Sequence, residues 1–598
     1  MRLHRLYSDK PHLFDPVDFN DGLSVVLAEI RVPANQDLDT HNLGKSTVGE
    51  LLDFCLLKGK DADFFLFKHA QLFSSFAFYL ELKLGDQRYL TIRRRVDPGS
   101  RIEFKRSGTP IEDATRLSDD GWDHYDLPLE RARVFLDGEL GFSALSPWKF
   151  RKLVGYLIRS QKDYLDVFQL RKFSGKHQDW KPFVAHLMGM QAQPVVDLYA
   201  KKTALEDTKT KLSALTQEWG GDEIDPSLLD GLISVKRRDV EAKQAALEEF
   251  SFRSEDQRTT ADVVERVDIQ IAALNEERYR LNQLLERIDK SLSERKISFD
   301  PQQAEALFAE AGVAFGEQLK QDYEQLIRFN RAITQERRSA LKQQRKDADS
   351  RVREIETALA DLNAQRTRSL SFLRETDSLA KFKELSRELS SLQAALATLE
   401  AKRAAAARLI ELRQERRTLD EEFGHVQTAV ERELVEIGQD ETSRFALIRR
   451  FFTEIVFEVL GENAVLAISM NSQGGLDFRA EFVGEKGVAT SGDRGTSYRK
   501  LLCIAFDLAV LRAHLDTAFP RFVYHDGALE QLEPRKREKL IGVFRSYAGH
   551  GLQPALSLLN SDLPAPLDSS PSTLATDDIV LTLHDEGEAG RLFKMPEW

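Results

Sequence analysis

Asp39-Thr40-His41-Asn42-Leu43-Gly44-Lys45-Ser46-Thr47, running on into the apolar stretch Val48–Leu57, decides how this chain is read. The spacing approximates G-x-x-x-x-G-K-[ST], with Asp39 where the first glycine is usual. Backbone N–H groups of such a loop, and of the helical turn after it, cradle phosphates, and the positive end of the helix favours their charge. On this reading His41, Asn42, Leu43, Gly44, Lys45, Ser46 and Thr47 surround the nucleotide phosphates, Lys45 reaching the β and γ oxygens and Ser46 the Mg²⁺ ion. Upstream, Leu23–Ile30 is an apolar run expected as a buried strand, with a polar insert, Arg31–Asp39, before the loop. The order strand, loop, apolar helix separates a nucleotide site from a surface turn that happens to contain Gly-Lys-Ser-Thr.

The chain has 598 residues, enough for several domains. Its net charge of -12 carries no global basic signature for nucleic acid, although a local basic face remains possible. The two cysteines, Cys55 and Cys503, both fall in apolar helical patterns, which suggests neither a disulfide framework nor a zinc site. The N-terminal MRLHRLYSDK lacks the apolar core of a signal peptide, and no stretch is apolar for long enough to span a bilayer. A cytoplasmic protein with no membrane partner is expected.

Residues 1–195 read as a mixed α/β lobe. Phe76–Lys83, the turn at Gly85-Asp86 and Arg88–Arg95 form a hairpin pattern. Arg93, Arg94 and Arg95 are either a solvated strand end or a contact to nucleotide phosphate or DNA backbone. Pro147–Arg159 reads as an amphipathic helix ended by the polar run Ser160–Asp163. From about residue 195 aromatics thin out and a heptad seam runs Val264, Val267, Ile271, Leu274, Arg278, Leu281, Leu285, Ile288, Leu292. Returning seams read Val352, Ile355, Leu359, Leu362, Arg366 and Leu385, Leu389, Leu392, Leu396, Leu399. The pattern breaks at Pro301, Gly312 and Gly316, so the simplest expectation for 196–440 is an antiparallel coiled-coil hairpin with its apex near 297–318; a globular helical bundle is the alternative. Residues 441–598 return to α/β character: a helix at Phe445–Leu460, a hairpin of Ala464–Met470 with Leu476–Val483, and a Gly/Ser/Thr-rich loop opening the helix Tyr498–Leu515. Phe522–Asp526 is a short apolar strand ending in a carboxylate, and Ala555–Leu559 is another strand. If the helical arms are antiparallel, their two ends meet, and the lobes before and after them are halves of one head.

With HNLGKSTVGELLDFCL, RSQKDYLDVFQL, WKPFVAHLMG, FDPQQAEALFAEAGVAFGEQL and FVYHDGALEQLE in that order, the chain resembles the SMC-like ABC ATPases, and within them the shorter bacterial YydD type. The resemblance implies an α/β ABC-type ATPase head built from the N- and C-terminal lobes, with a long antiparallel coiled-coil insertion, binding ATP and Mg²⁺. It implies that Asp526 holds Mg²⁺ through water. It also implies that Gln161, with Gln169 in reserve, senses the γ-phosphate and metal, and that Ser497 belongs to the loop presented to nucleotide on an opposing head. Glu533 matches the acidic position of the loop that touches the second head.

Three positions depart from that pattern. Gly527 stands where the water-orienting Glu is usual, and Glu530 is the candidate substitute. The signature loop has only the imperfect candidates Ser491-Gly492 and Gly495-Thr496-Ser497, and Asn560-Ser561-Asp562 replaces the switch histidine. His525 is either a polar participant or a packed residue. The expectation is therefore a slow ATPase, used as a switch, that dimerises through its heads and senses or clamps double-stranded DNA. The resemblance places such proteins in bacterial anti-phage or anti-plasmid defence, with accessory and nuclease-type effector proteins. The alternative is a non-hydrolysing, nucleotide-stabilised scaffold that organises partners through its coil. A P-loop kinase with a helical insertion would need an acceptor lid and no dimer.

Overall fold

The computed structural model describes residues 1–32, 43–85, 88–96, 101–171, 177–219, 225–250, 255–293, 317–370, 376–484, 496–564 and 574–596. The chain divides into two compact units, one made of 1–204 with 420–598 and the other of 205–419.

The first unit contains thirteen strands among its described residues: β1 Arg2–Ser8, β2 Val17–Asp18, β3 Ser24–Glu29, β4 Ala77–Lys83, β5 Tyr89–Arg95, β6 Ile102–Ser107, β7 His124–Leu127, β8 Ile158–Arg159, β9 Asn463–Met470, β10 Leu476–Val483, β11 Phe522–Asp526, β12 Gln553–Leu559 and β13 Ile579–His584. Five of them form a parallel sheet in the order β13-β3-β12-β11-β8. This sheet mixes the two ends of the chain, because β3 lies between β12 and β13 and β8 lies against β11. Its central strands are mostly apolar and buried along almost their whole length, as a covered parallel sheet requires. A second sheet, wholly antiparallel, runs β2-β1-β4-β5-β6-β7. β9 and β10 pair as a separate hairpin.

The helix Lys45–Cys55 packs against strands of both large sheets. Val48, Leu51, Leu52 and Phe54 are all buried. The opposite end of that helix is held by three arginines. Arg94 Nη1 donates to Phe54 O at 2.5 Å, Arg133 Nε to Leu57 O at 3.0 Å and Arg151 Nη1 to Leu56 O at 2.7 Å. Cations at the last carbonyls complement the negative end of a helix.

Arg93 and Arg94 of β5 are therefore neither a solvated strand end nor an open phosphate contact, while Arg95 stays partly exposed. Arg94 is fully buried under Phe54, and Arg93 is bonded to the buried Glu103 across the β5–β6 ladder at 3.0 Å. Arg95 approaches the same carboxylate at 3.5 Å. The alternation of strand side chains sends Arg94 to the core face and its two neighbours to the other face.

The second unit is helical. The Glu255–Ser293 and Glu317–Leu370 helices pack with Val267, Ile271, Ile355 and Leu359 buried between them and Leu274, Leu281 and Leu362 alongside. Their ion pairs, Asp289–Arg345, Glu277–Arg351 and Asp268–Arg366, run in opposite residue order, so the helices are antiparallel. Arg366 occupies a seam position because its guanidinium, 2.9 Å from Asp268, lies against Phe382. The same opposed order relates Pro226–Glu248 to Thr376–Gln439 through Asp230–Arg403 and Lys243–Glu388. Glu218 meets Arg287 at 3.1 Å, close to the Asp289–Arg345 pair, so three helices lie side by side at that level. The apex expected near 297–318 falls largely on residues 294–316, outside the described residues. Among the described residues no helix is long and apolar enough to cross a membrane.

Candidate functional site

The site lies at the carboxyl ends of β8 and β11, beside the start of the Lys45–Cys55 helix. Gly44 precedes this helix with φ 92°, and a Cβ there would stand 2.8 Å from Leu592 Cβ. Only glycine meets both conditions without strain. The backbone of Leu43 is tied to the C-terminal segment by Leu592 N–H donating to Leu43 O at 3.0 Å. One turn into the helix, a Cβ on Gly49 would lie 2.6 Å from Tyr524 Cε1, so glycine lets the helix close onto β11. The Tyr524 hydroxyl donates to Lys45 O at 3.0 Å. His41 and Asn42 lie outside the described residues; Thr47 is in the first turn, with its N–H donating to Gly44 O.

Lys45 is 3% exposed and its Nζ lies 2.7 Å from Glu530 Oε1. Gln161 Nε2 donates to the same oxygen at 2.9 Å. Asp526, at the end of β11, accepts from Ser557 Oγ on β12 and from Ser46. Burial pushes the Asp526 carboxyl above the usual range, against the hydrogen bonds from Ser557 and Ser46 and the charge of Lys45. Lys45, Ser46, Gln161, Asp526 and Glu530 thus converge, although the chain separates Lys45 from Glu530 by 485 residues.

Gly527 explains how Glu530 arrives there. Its φ is +66°, and a Cβ on it would fall 2.6 Å from the Glu530 carboxyl group. A side chain at 527 and Glu530 in its present position exclude one another. The glycine turn, closed by Glu530 N–H to Gly527 O at 3.3 Å, folds the carboxylate back over the strand end.

Two further groups complete the cluster, and neither was singled out from the sequence. Lys500, 5% exposed in the second turn of the Thr496–Ala513 helix, donates to Gly527 O at 2.8 Å and lies 3.6 Å from Glu530 Oε2. Burial lowers its pKa, opposed first by Glu530. Arg159, two residues before Gln161, is fully buried and makes two 2.7 Å contacts to Asp507 of the Thr496–Ala513 helix. It also donates to the carbonyls of Asp163, Asp166 and Val167. Asp507 holds the guanidinium protonated. His525 is a packed residue, fully buried with Nε2 3.5 Å from Asp507, and burial holds it neutral with a pKa lowered to about 3.

The remaining candidates are held by other partners, although Asp562 still feels the charges of Glu530, Lys45 and Lys500. Ser497 Oγ donates to Gln531 O of the same chain at 3.0 Å. Ser491, Gly492 and Gly495 are outside the described residues. Gln169 anchors a turn through its N–H to Asp166 Oδ1 at 2.7 Å. Glu533 is 74% exposed at the start of the Pro534–Gly549 helix, beside Lys536. Asp562, where a histidine was expected, is buried and 3.3 Å from Arg537.

A magnesium ion brought by a nucleotide would find one carboxylate, one hydroxyl and one amide here: Asp526, Ser46 and Gln161. This set fits an ion that keeps waters and takes its other ligands from phosphates. It is not a protein cage, and no group of three His, Cys, Asp or Glu side chains suited to a metal occurs among the described residues.

The family model described as "Uncharacterised protein conserved in bacteria (DUF2326)" matches residues 454–597. Among curated proteins, none matches the chain. Of solved structures, the chain is similar to the Smc head domain with a coiled coil and joint from Pyrococcus yayanosii, at 14% identity and TM-score 0.34, over 93% of this chain and 92% of that one. It is also similar to the Smc head domain with an extended coiled coil from Pyrococcus furiosus, which is bound to the C-terminal domain of ScpA. There the identity is 12% and the TM-score 0.32, over 94% and 90% of the two chains. These likenesses are coarse, and the chemistry of the site rests on the residues described above.

Proposed function

We propose that this chain is an ATP-binding, slowly hydrolysing switch of the SMC-like type, with its nucleotide at the Lys45–Asp526 site. The observation that carries the proposal is the convergence of Lys45, Ser46, Gln161, Asp526 and Glu530 at the carboxyl end of one parallel sheet assembled from both chain ends. ATP supplies the phosphoanhydride bond, and Mg²⁺ supplies charge for the phosphate oxygens. Lys45 would bind those oxygens, Asp526 and Ser46 would hold the ion, and Glu530 with Gln161 would orient the attacking water. Gly527 in the usual acidic position, and a substitute carboxylate three residues on, favour slow turnover. The site's reach to partners follows the SMC-like resemblance: heads pairing over nucleotide, double-stranded DNA as the object sensed, and a YydD-type place in bacterial defence with effector proteins. The antiparallel ion-pair order of the helical unit supports a coiled-coil insertion between the lobes.

A scaffold without hydrolysis is the second reading, favoured by the Lys45–Glu530 pair, which occupies both groups in the present structure. ATP turnover with and without duplex DNA, together with dimerisation by light scattering, separates the two. Slow turnover lost in Lys45→Ala and Asp526→Ala supports the switch. Nucleotide-dependent dimers with no turnover in the unsubstituted protein support the scaffold. No nucleotide binding refutes both.

A further inference from the structure

The site holds two buried lysines on one carboxylate. Glu530 Oε1 takes Lys45 at 2.7 Å and Gln161 at 2.9 Å, while Oε2 faces Lys500 at 3.6 Å. Lys45 is the group a phosphate would engage, so a phosphate and Glu530 compete for the same ammonium. Were Lys45 drawn away with nothing left behind, Glu530 would be a partly buried carboxylate without a counter-charge, which is costly. Lys500 is placed to prevent this. Its Nζ is fixed by Gly527 O at 2.8 Å, on the same turn that carries Glu530, and lies over the Tyr164 ring, 5.3 Å from its centroid.

We propose that Lys500 is a positioning residue that takes over Glu530 when phosphate engages Lys45, so that nucleotide binding frees Lys45 and leaves the carboxylate in the site. Glu530 is then an internal competitor of phosphate in the nucleotide-free protein, and Lys500 weakens that competition by sharing the carboxylate. This inference rests on the nucleotide-site reading above. It adds a residue outside the phosphate loop and the carboxylate strand, contributed by the helix that also carries Asp507.

The test is a binding cycle that needs no turnover: affinity for Mg-ATP by titration calorimetry on the full chain. The proteins are unsubstituted, Lys500→Gln, Glu530→Gln and the double variant. Lys500→Gln keeps a donor for Gly527 O and removes the charge. It is expected to weaken ATP about tenfold, the scale of one charge-assisted hydrogen bond redirected onto Lys45. Glu530→Gln is expected to tighten ATP by a similar factor, and the double variant to bind as Glu530→Gln does. Lys500→Arg, which keeps the charge, is expected to bind within about threefold of the unsubstituted protein. Equal weakening by Lys500→Gln in both backgrounds would overturn the proposal, because Lys500 would then be acting on the phosphates directly. If ATP binds the unsubstituted protein but Glu530→Gln does not tighten it, the competition is absent and the proposal fails while the nucleotide site stands. Lack of ATP binding, or binding indifferent to Lys45→Ala, sinks the site reading itself.

Discussion

Asp507→Leu and Arg159→Met, made singly and together, test how the site is braced. The pair is fully desolvated and bidentate, with both contacts at 2.7 Å, and it joins β8, two residues before Gln161, to the helix that carries Lys500. Removing Asp507 leaves a buried guanidinium without counter-charge, at a cost of about 3–5 kcal/mol. Removing Arg159 leaves a buried carboxylate and also deprives the carbonyls of Asp163, Asp166 and Val167 of their donor. With about 1 kcal/mol for each of three orphaned carbonyls, that variant loses roughly 6–8 kcal/mol. The double variant has no buried charge and retains only the carbonyl term, roughly 3 kcal/mol. At about 2.1 cal/mol/K of unfolding entropy per residue, a unit of this size shifts by roughly 1.2 °C per kcal/mol, so Asp507→Leu melts about 4–6 °C lower, Arg159→Met about 7–10 °C lower, and the double variant only about 4 °C lower. The assay is differential scanning calorimetry, reading the transition of the 1–204/420–598 unit. The decisive result is the order: the double variant must melt above Arg159→Met. If the two losses simply add, the pair is not energetically coupled, and the reasoning from burial and geometry is refuted.

Gly44→Ala combines a left-handed φ with a 2.8 Å approach to Leu592 and is expected to cost about 2–4 kcal/mol and to weaken ATP, read by melting and titration calorimetry together. Acid should destabilise the sheet-bearing unit through two buried imidazoles, since burial lowers His525 to about 3 and His514 to about 4. Both are neutral in the fold while the unfolded chain takes up protons near pH 6.5. Their contribution is therefore full above that pH and falls as pH drops towards about 4, by up to about 2.7 kcal/mol per pH unit. His514→Phe should remove about half of that slope in a melting series against pH. In the helical unit, Ile355→Ala deletes a side chain that is 1% exposed between two antiparallel helices, and about 2–5 kcal/mol should be lost, seen as an earlier transition by far-UV circular dichroism.

Local patterns made much of this legible. Contiguous apolar runs placed β3, β11 and β12, the hairpins β4–β5 and β9–β10 followed from alternation and their turns, and the Gly-Lys-Ser-Thr run and Asp526 marked the site ends. What escaped depends on partners far away in sequence. The stretch Pro147–Arg159 reads as one helix because its spacing is amphipathic. In the structure the helix is Phe150–Leu157, and Ile158–Arg159 is the edge strand of the parallel sheet. That strand exists because Arg159 finds Asp507, 348 residues later. Lys500 looks like a solvated lysine on an apolar helix until Gly527 supplies a carbonyl to it. Arg93 and Arg94 form a cationic run on paper, and only the cross-strand register with Glu103 and the packing over Phe54 show where their charges go. Glu530 was a substitute by proximity in sequence; the positive φ of Gly527 is the reason it reaches Lys45.

The insertion of β3 between β12 and β13 also bears on how the protein is made. During synthesis β3 emerges long before its nearer neighbour, β12, which begins 524 residues after β3 ends. At about 5–20 residues per second the ribosome needs roughly half a minute to two minutes to deliver it. Throughout that interval an apolar strand, SVVLAE, has neither lateral partner, while the antiparallel sheet is already encoded by residues 2–127. The nascent chain is thus expected to engage holding chaperones. Two fragments cut within 205–419 should become soluble only when translated together, since each supplies strands that the other's half-sheet lacks.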